Sequence, residues 1–581
     1  MKGVMNGKEK KVFSKEALAN ITKKHGKWVK GPLAQWLVKV PERKKGFHTE
    51  SGIPIKEIFT PKDIKEIDYI RDIGFPGEYP FTRGVNPSMY RSRPWSVRQI
   101  TGLGGPAETN ARMREQYAQG VTRMGGILDC NIYAAYVDPD DPEFDHLYGI
   151  ESLGRTGYIA TNLRDYEELY EGIPLDKVSV ASMLGHFSQR ETGMIFALAK
   201  RQGIPLEKLN GISQNDSMQL FNGNYYPAFP PEYELTLALD LVRFCSEHVP
   251  KWNCLSMAGY NRQEAGLNAY QEIGVTIADA ATFIQEGIKF GIDAEKFVPM
   301  ISFHWGFTMD FFEQIAKLRA ARRMWAMLTR ERFRIKNPAA WKMRFYLETS
   351  GSCLTAQQPY NNIIRVAIQA MGGVLAGANA LHTASFDEAL CAPTDFSAQL
   401  SLRTQQIIEH ETGLADVVDP LAGSYYVEYL TNAIEKRAWE YVDKIVEMGG
   451  SIAAIRKGFF FRETQQACLD IQNQVENGDK VIVGVNRFQD EEKIKPSLYR
   501  GSKEAITQAL ARLQQVKKNR DHEKVSAALH RLQERVREGG RGSMEATIAC
   551  CEAYCTFAEM NRAVKEICGV YSLAGDSILS R

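Results

Sequence analysis

The sequence predicts a (β/α)8 barrel followed by a mainly helical module. From about residue 95, short β-type runs alternate with longer amphipathic stretches, and eight such units fit before about residue 420. Strands separated by helices pair in parallel through right-handed crossovers, and this length suits a barrel with insertions. A doubly wound open sheet usually carries a Gly-rich phosphate turn after its first strand, and residues 102–105, Gly-Leu-Gly-Gly, match that turn poorly. We therefore expect the barrel.

The eight predicted strands are short and rich in apolar residues, and they cover 95–102, 126–132, 178–183, 211–213, 254–260, 298–303, 343–347 and 378–381. Helices are predicted between them at 108–121, 191–202, 231–247, 310–332 and 361–375. Leu235, Leu239 and Val242 illustrate the three- and four-residue spacing that indicates a helix.

The chain ends differ in composition from the barrel. Lys and Glu crowd the first 30 residues, which predicts a solvated arm. We expect an N-terminal arm and partner-contacting extension over 1–60, the barrel over 61–425 and the helical module over 426–581. Within this last part, helices are predicted at 429–448 and 502–535, and a strand-like run at 481–486.

Composition excludes several classes of function. The 581 residues are 44% hydrophobic and 24% charged, with a formal net charge of +2, so nothing predicts nucleic acid or an anionic membrane as a partner. No apolar run of membrane-spanning length and no signal-peptide pattern occurs, and the expectation is a cytoplasmic protein. Cys550, Cys551 and Cys555 lack a CxxC pair or a nearby His, which favours plain packing as reduced thiols over a metal site.

Barrel enzymes place their working groups where the strands end. Each of these side chains alone is more often a core or capping group, but their joint position at one rim favours a site: His186, Gln214, Asp216, Asn261, Glu264, His304, Glu348, His382, Asp387 and Glu388. No zinc-type His/Glu spacing, nucleophile elbow or Walker loop accompanies them. Amides, acids and isolated histidines suit the orientation of a substrate better than hydrolysis.

Several motifs carry a resemblance to a known family. Tyr79-Pro-Phe-Thr-Arg-Gly-Val-Asn-Pro-Ser-Met-Tyr90 and the following Arg91-Ser-Arg-Pro-Trp-Ser-Val-Arg-Gln99 strongly resemble the methylmalonyl-CoA mutase family. Further matches follow in the same order, including Gln214-Asn-Asp216, Ser256-Met-Ala-Gly-Tyr260, Ser302-Phe-His-Trp-Gly306, Ser385-Phe-Asp-Glu-Ala389 and Val483-Gly-Val-Asn486. Matches in order from about residue 40 to the end are very specific.

The resemblance implies a barrel threaded by the CoA tail, with the acyl group meeting adenosylcobalamin at the mouth for a radical rearrangement of the carbon skeleton. The family's flavodoxin-like cobalamin domain carries DxHxxG, which this sequence lacks, and Asp145-His146 does not have the spacing. We therefore expect a stand-alone large subunit of the type found in isobutyryl-CoA and 2-hydroxyisobutyryl-CoA mutases. Its expected partner is a small cobalamin-binding subunit, in a homodimer of large subunits or a heterotetramer.

The resemblance also implies roles for single residues. Gln214 matches the glutamine near the substrate thioester, and Ser88, Arg93 and Ser302 match positions that contact CoA. Arg98 lies at the boundary of cofactor and substrate, and Glu388 matches the acid that holds the adenosyl ribose. A carboxyl group suits a ribose because it can pair with two hydroxyls.

Departures from the family cluster at the reaction centre. Each of seven residues stands where the family has another, namely Asn261 for His, Asn86 for an aromatic, Ile100 for Tyr, Asn224 and Met300 for Arg, Ala384 for Asn and Glu348 for Gln. Loss of an arginine leaves a substrate carboxylate unpaired in a dry pocket, which costs several kcal/mol. We therefore expect an acyl-CoA without a free carboxylate.

Substrate specificity is predicted to depend on Asn86, Asn224, Asn261 and the loop 130–141. The main alternative is a catalytically degenerate paralogue that binds CoA or a partner without turnover. A barrel lyase or aldolase without cobalamin ranks third, because no Schiff-base lysine or metal cluster occurs among the predicted rim residues.

Overall fold

The computed structural model describes residues 12–98, 102–118, 123–155, 157–183, 185, 187–222, 229–490 and 496–571. Its nine strands are short and all their pairings are parallel. They are β1 Ser96–Arg98, β2 Arg123–Gly126, β3 Ser179–Ser182, β4 Asn210–Ser213, β5 Trp252–Asn253, β6 Leu255–Ala258, β7 Ile301–Phe307, β8 Phe345–Thr349 and β9 Ala380–His382.

The strand order is that of a (β/α)8 barrel. One sheet has the order β1-β9-β8-β7-β6 and the other has the order β2-β3-β4-β5. Only Cys254 separates β5 from β6, and Ser256 of β6 donates from its backbone N–H to Gln214 O directly after β4, at 2.8 Å. Neighbours in sequence are therefore neighbours in space, and the first strand also pairs with the last. The predicted fold class is confirmed.

The remaining edges of the two sheets approach each other just beyond β1 and β2. Tyr158 forms parallel bridges with both Gly104, after β1, and Leu128, after β2. A Cβ added at Gly102 would lie 2.7 Å from Ile127 O, so the backbones meet there at a distance that only glycine allows. The segment around Tyr158 thus joins the chain after β1 to the chain after β2.

Helices follow most of the strands and cover the ring. Those up to the last barrel strand are α1 Lys15–Trp28, α2 Ala34–Lys39, α3 Pro106–Ala118, α4 Cys130–Tyr133, α5 Pro142–Tyr148, α6 Leu163–Leu169, α7 Ser188–Arg201, α8 Pro231–His248, α9 Gly259–Glu264, α10 Ala269–Lys289, α11 Ala294–Phe297, α12 Phe311–Met327 and α13 Asn361–Leu375. Those after it are α14 Asp395–Glu411, α15 Tyr425–Glu447, α16 Ser451–Arg456, α17 Phe459–Glu476, α18 Lys503–Asn519, α19 His522–Arg537, α20 Ser543–Glu552 and α21 Phe557–Cys568.

The C-terminal helices pack on the outside of the ring. Asp240 of α8 accepts hydrogen bonds from the backbone of Gly542 and Met544, and Gln189 of α7 donates to Ser543 Oγ at 2.8 Å. Cys550 and Cys551 of α20 and Cys555 are buried free thiols. Cys555 lies beyond the end of α20, so it does not share a helix face with Cys551.

Some predicted elements were placed wrongly. The strand expected at 126–132 lies earlier, as β2, because Asp129 caps the short helix α4 through the backbone N–H of Asn131. The run 481–486 forms only an isolated bridge, Val483 with Arg487, rather than a strand. β7 and β8 extend beyond their predicted ends, so His304 and Glu348 lie within strands instead of after them. Within the described residues, no helix is both long and apolar enough to cross a bilayer.

Candidate active site

Alternate residues of the central strands face the axis of the ring. The ring of Phe303 lies 4.9 Å from that of Trp325 on α12, so Phe303 points outward and its neighbours Ser302 and His304 point inward. The strand register extends this inward set, and many of its members are small: Ser96, Ser179, Ala181, Ser256, Ser302 and Ala380. Barrel interiors are usually filled by bulky branched side chains, so this lining favours a ligand on the axis.

Two arginines narrow this axis. A cavity of about 20 Å³ inside the ring is lined by Arg98 of β1, Arg123 of β2 and residues of β2 and β3. Burial, together with the positive charges of Arg98 and Arg93, lowers the pKa of Arg123 to about 10. A ligand that passes along the axis therefore requires these side chains to shift.

The last inward row of the ring is polar. Glu348 of β8 is in register with His382 of β9, which is in register with Arg98 of β1. Glu348 accepts hydrogen bonds from His304 Nε2 at 3.0 Å and from the Tyr346 hydroxyl at 3.2 Å. Its second oxygen lies 3.9 Å from His382 Nε2. One carboxylate thus ties together the mouth ends of three neighbouring strands.

Aromatic contacts fix the same row. The Tyr260 ring stacks on that of His304 with centroids 4.6 Å apart and an interplanar angle of 14°. The Arg98 guanidinium lies over the Tyr346 ring, 4.8 Å from its centroid. Cation–π contacts of this kind are strongest where water is excluded. Arg98 is therefore held by Tyr346 and by its position near Glu348.

Charge at the mouth is concentrated on Glu348. Burial raises its pKa, but the hydrogen bond from His304 and the proximity of His382 outweigh burial and hold the pKa of Glu348 below its usual value. Burial lowers the pKa of His382, although Glu348 opposes that effect. At neutral pH this arrangement favours an ionised Glu348 beside a neutral His382.

Two further carboxyl groups lie close by, and their pKa values are raised. Burial, together with the negative charges of Glu348 and Glu264, raises the pKa of Glu388 to about 8. Burial likewise raises the pKa of Glu264 to about 7. A Cβ added at Gly351 would lie 2.6 Å from Glu388 Oε1 and 3.5 Å from Glu264 Oε2, so both acids converge there. Near pH 7 Glu388 is mostly protonated and can donate as well as accept a hydrogen bond.

A cavity of about 750 Å³ opens at this mouth. Its ring side is lined by Glu348, His382 and Glu388, and its outer side carries three arginines, Arg112, Arg155 and Arg500. The other lining residues are Gly102, Leu103, Gln116, Ile127, Thr383, Ser385, Ala389, Leu390, Cys391, Ala392, Pro393, Ala398, Ser401, Leu498 and Tyr499. A volume of this size suits a sizeable organic group.

Gln214 and Asn261 lie at the same end of the ring. Gln214 follows β4, and its backbone N–H donates to the carbonyl oxygen of Ser182, the last residue of β3, at 3.0 Å. Its side chain is buried and donates weakly to Gln219 Oε1 at 3.4 Å. Asn261 lies in α9, three residues after β6, and is half-buried. Neither amide is among the residues that line the 750 Å³ cavity. An amide can donate a hydrogen bond to a ligand but cannot deliver a proton.

The segment 79–93 lies at the other end, where the strands begin. The Tyr90 hydroxyl donates to Ala378 O, two residues before β9, at 2.7 Å. Within this segment Asn86 and Arg93 are exposed, and Ser88 shares a 2.6 Å hydrogen bond with Ser92. The structure therefore does not bring Asn86 together with Asn261, as the predicted acyl pocket would require.

The other predicted residues are distributed between the wall and the rim. Ser302 Oγ is buried and has no hydrogen-bond partner among the described residues. Ala384 is buried and donates its backbone N–H to Thr349 Oγ at 2.8 Å. Met300 is half-buried in the turn before β7. Three predicted positions, Ile100, Asn224 and His186, lie outside the described residues.

Three residues of the inward polar set were not predicted, namely Tyr346, Tyr260 and Arg123. Tyr346 and Tyr260 fall in runs predicted only as strands, and Arg123 falls between the helix predicted at 108–121 and the strand predicted at 126–132. Strand alternation could have indicated Tyr346, because it lies two residues before Glu348 and therefore faces the same side of the strand. Over the described part of the chain, no cluster of three or more His, Cys, Asp or Glu side chains could hold a metal ion.

The ring and its polar mouth define a barrel protein that binds and orients a ligand where its strands end. A family model described as methylmalonyl-CoA mutase matches residues 48–570. The chain belongs to the methylmalonyl-CoA mutase family, as the motifs at residues 79–99 indicate.

The relatives include both large subunits and longer single chains. The 2-hydroxyisobutanoyl-CoA mutase large subunit of Aquincola tertiaricarbonis is 35% identical over 545 residues, which cover 94% of this chain and 96% of that protein. Methylmalonyl-CoA mutase of Rhizobium meliloti (strain 1021) is 34% identical, covering 90% of this chain and 73% of that protein. The mitochondrial methylmalonyl-CoA mutase of Homo sapiens is 34% identical, with 92% and 70% covered.

Proposed function

We propose that this chain is the large, acyl-CoA-binding subunit of an adenosylcobalamin-dependent acyl-CoA mutase, an intramolecular transferase. The observation that carries the proposal is the polar mouth of a ring with a small-residue lining, in a chain that belongs to this family. The match to a relative named as a large subunit, over 96% of its length, supports a two-subunit organisation.

The substrate class follows from charge at the mouth. Glu348 is ionised there, and the nearby cation Arg98 already lies over Tyr346 and faces Glu348. A substrate carboxylate would meet a like charge in a poorly solvated space, which costs free energy. Asn224, in place of an arginine, provides no compensating cation, and Met300, in place of another, lies at the opposite end of the ring. We therefore propose an acyl group without a free carboxylate, with a branched or hydroxylated chain.

The chain's own residues would bind, orient and exclude water. Gln214 and Asn261 would donate hydrogen bonds to the thioester, and Ser88, Arg93 and Ser302 would contact the CoA moiety. Glu388 lines the mouth cavity and would bind the two ribose hydroxyls of the adenosyl group. Arg98, Glu348 and Ala384 would lie at the boundary with the corrin. Adenosylcobalamin itself would supply the radical that begins the rearrangement.

A small cobalamin-binding subunit is the proposed partner at the mouth. The N-terminal arm is a second proposed contact, because α1 and α2 contain no buried residue and Trp36 and Val38 are exposed, Val38 by 87%. Exposed apolar groups on a helix that its own chain leaves uncovered favour a protein partner. A homodimer of large subunits or a heterotetramer would provide such coverage.

The test is reconstitution with a cobalamin-binding small subunit, sought first in the neighbouring reading frames, followed by an acyl-CoA screen. We expect isomerised product from 2-hydroxyisobutanoyl-CoA or isobutanoyl-CoA and little from methylmalonyl-CoA. A matched Glu348→Gln variant should improve binding of methylmalonyl-CoA relative to isobutanoyl-CoA. Binding of CoA esters without any turnover would support the degenerate paralogue instead, and preference for methylmalonyl-CoA would contradict the substrate class.

A further inference from the structure

A buried ionic triad lies directly behind the two amides at the mouth. Arg262 of α9 lies between Asp216, which follows β4, and Asp279 of α10, and all three side chains are 0% exposed. Arg262 Nη1 lies 3.1 Å from Asp216 Oδ2, and Nη2 contacts Asp279. Asp216 is two residues after Gln214, and Arg262 is adjacent to Asn261. The triad therefore joins the segments that carry the two amides.

Hydrogen bonds to the backbone make this connection specific. Asp216 Oδ2 also accepts the backbone N–H of Ala258 at 2.8 Å, and Arg262 Nη1 donates to Ala258 O at 2.7 Å. Ala258 is the last residue of β6, where the chain turns into α9. Both backbone groups of this turn are thus bound by the ion pair. A shift of Asp216 would move the start of the helix that carries Asn261.

The residue between Gln214 and Asp216 restricts the loop from the other side. Asn215 has a φ of 49°, in the left-handed region, and its Nδ2 donates to Ala238 O and Cys254 O, both at 3.0 Å. Asn tolerates this conformation better than most residues. Gln214 is consequently fixed between backbone hydrogen bonds to the neighbouring strands and a side-chain anchor to α8.

From these contacts we infer that Asp216 and Arg262 are positioning residues, which set Gln214 and Asn261 at a fixed distance around the thioester. The inference rests on the proposed function, because it takes the thioester as the group that both amides bind. The inference gives the buried pair of Asp216 and Arg262 a role in the reaction. Its contacts alone would suggest only a role in stabilising the fold.

The chain contains a matched control. Arg319 of α12 also lies between two carboxylates, Asp419 and Glu428, whose exposures are at most 4%, but this triad links α12 to α15 on the outside of the ring. Removing one charge from either triad leaves a buried arginine with one partner, which destabilises the fold in both cases. Only the first triad contacts the segments that carry Gln214 and Asn261.

The experiment compares Asp216→Asn, Asp279→Asn and Glu428→Gln in the complete two-subunit assembly. We expect all three to lower Tm, whereas only Asp216→Asn lowers kcat strongly, by about 100-fold, with KM changed less than about threefold, since a displacement near 1 Å can cost that much. Asp279→Asn should have an intermediate effect because it lies on the far side of Arg262. Equal kcat for Asp216→Asn and Glu428→Gln at equal folded fraction would overturn the inference.

A second readout separates this inference from the proposed function. The infrared band of the thioester carbonyl, isotope-labelled in isobutanoyl-CoA as the probe, reports hydrogen bonds to that carbonyl without any turnover. Binding to the wild-type assembly should lower its frequency, and Asp216→Asn should reverse most of that shift while Glu428→Gln retains it. An assembly that never isomerises an acyl-CoA but shows this pattern would contradict the function and keep the positioning role. An unchanged band in Asp216→Asn would contradict the positioning role.

Discussion

The two ends of the ring hold their polar groups in different ways. At the mouth, side chains bind side chains, as Glu348 does with His304 and Tyr346, and several of these groups have shifted pKa values. At the opposite end, Arg322 donates to three backbone carbonyls, those of Phe81, Thr82 and Ala376, at 2.7–3.0 Å. A single substitution can change the hydrogen bonding and the pKa values at the mouth. The bonds of Arg322 to the backbone instead fix the path of the chain at the opposite end.

This difference bears only in part on the departures that the resemblance implies. Of those at described positions, Asn261, Glu348 and Ala384 lie at the mouth, whereas Asn86 and Met300 lie at the end where the strands begin. The CoA moiety is common to every substrate of such enzymes, and the acyl group is what differs. A rigid backbone anchor at one end and an adjustable side-chain network at the other fit that division.

The largest expected effect is at the mouth. Gln214→Met keeps the side-chain volume and removes the amide, so kcat should fall by about 100- to 1000-fold, as for loss of one donor to a developing oxyanion. KM for the CoA ester should change little, and steady-state kinetics of the reconstituted assembly would measure both. If Gln214→Met raised KM and left kcat unchanged, the mouth would contribute to substrate binding alone, as we expect of the opposite end.

Next comes the stability of the mouth as a function of pH. The pKa of Glu388 is raised to about 8, so the folded state binds its proton more tightly than the unfolded state, and stability decreases as pH rises from about 4.5 to about 8. Glu388→Gln should remove this decrease and gain about 1–3 kcal/mol relative to wild type between pH 5 and pH 8. Urea unfolding at both pH values is the measurement, with Glu428→Gln as the control. A pH-independent difference would contradict the raised pKa.

At the opposite end, Arg322→Lys keeps the charge but cannot reach three carbonyls at once. The segment 79–93 should then be less ordered, and we expect KM for the CoA ester to rise about tenfold, or about 1.4 kcal/mol, with kcat nearly unchanged. Hydrogen exchange of residues 79–93 should increase in the same variant. A fall in kcat with constant KM would reverse the proposed division between the two ends.

The smallest effect is expected at the surface of that end. Arg93 is exposed, so Arg93→Ala should raise KM about three- to fivefold through loss of a screened contact to a CoA phosphate. The effect should shrink further at high salt, which a KM series against NaCl would detect. Arg91 is a nearby arginine that is also exposed. Arg91→Ala serves as the control and should leave KM unchanged.

The fold was largely predictable, and the site only in part. Helix 361–375 was predicted with its observed bounds, because its apolar periodicity is regular. The ends of β7 and β8 were not predicted correctly. His304 and Glu348 interrupt apolar runs, and a polar residue usually marks the end of a strand. Inside this ring the inward face is itself polar, so the usual signal for the end of a strand fails there.

The sequence by itself determined the alternation of strands and helices, the family and the identity of the amides and acids that follow the strands. These properties depend on local periodicity and on motifs that are contiguous in the chain. Only the tertiary structure decided that Glu348 meets His304 and His382, that Asp216 meets Arg262, and that Asn86 lies at the end opposite Asn261. Those contacts join residues 34 to 46 positions apart. The register of parallel strands, which no local pattern encodes, sets which of them become neighbours.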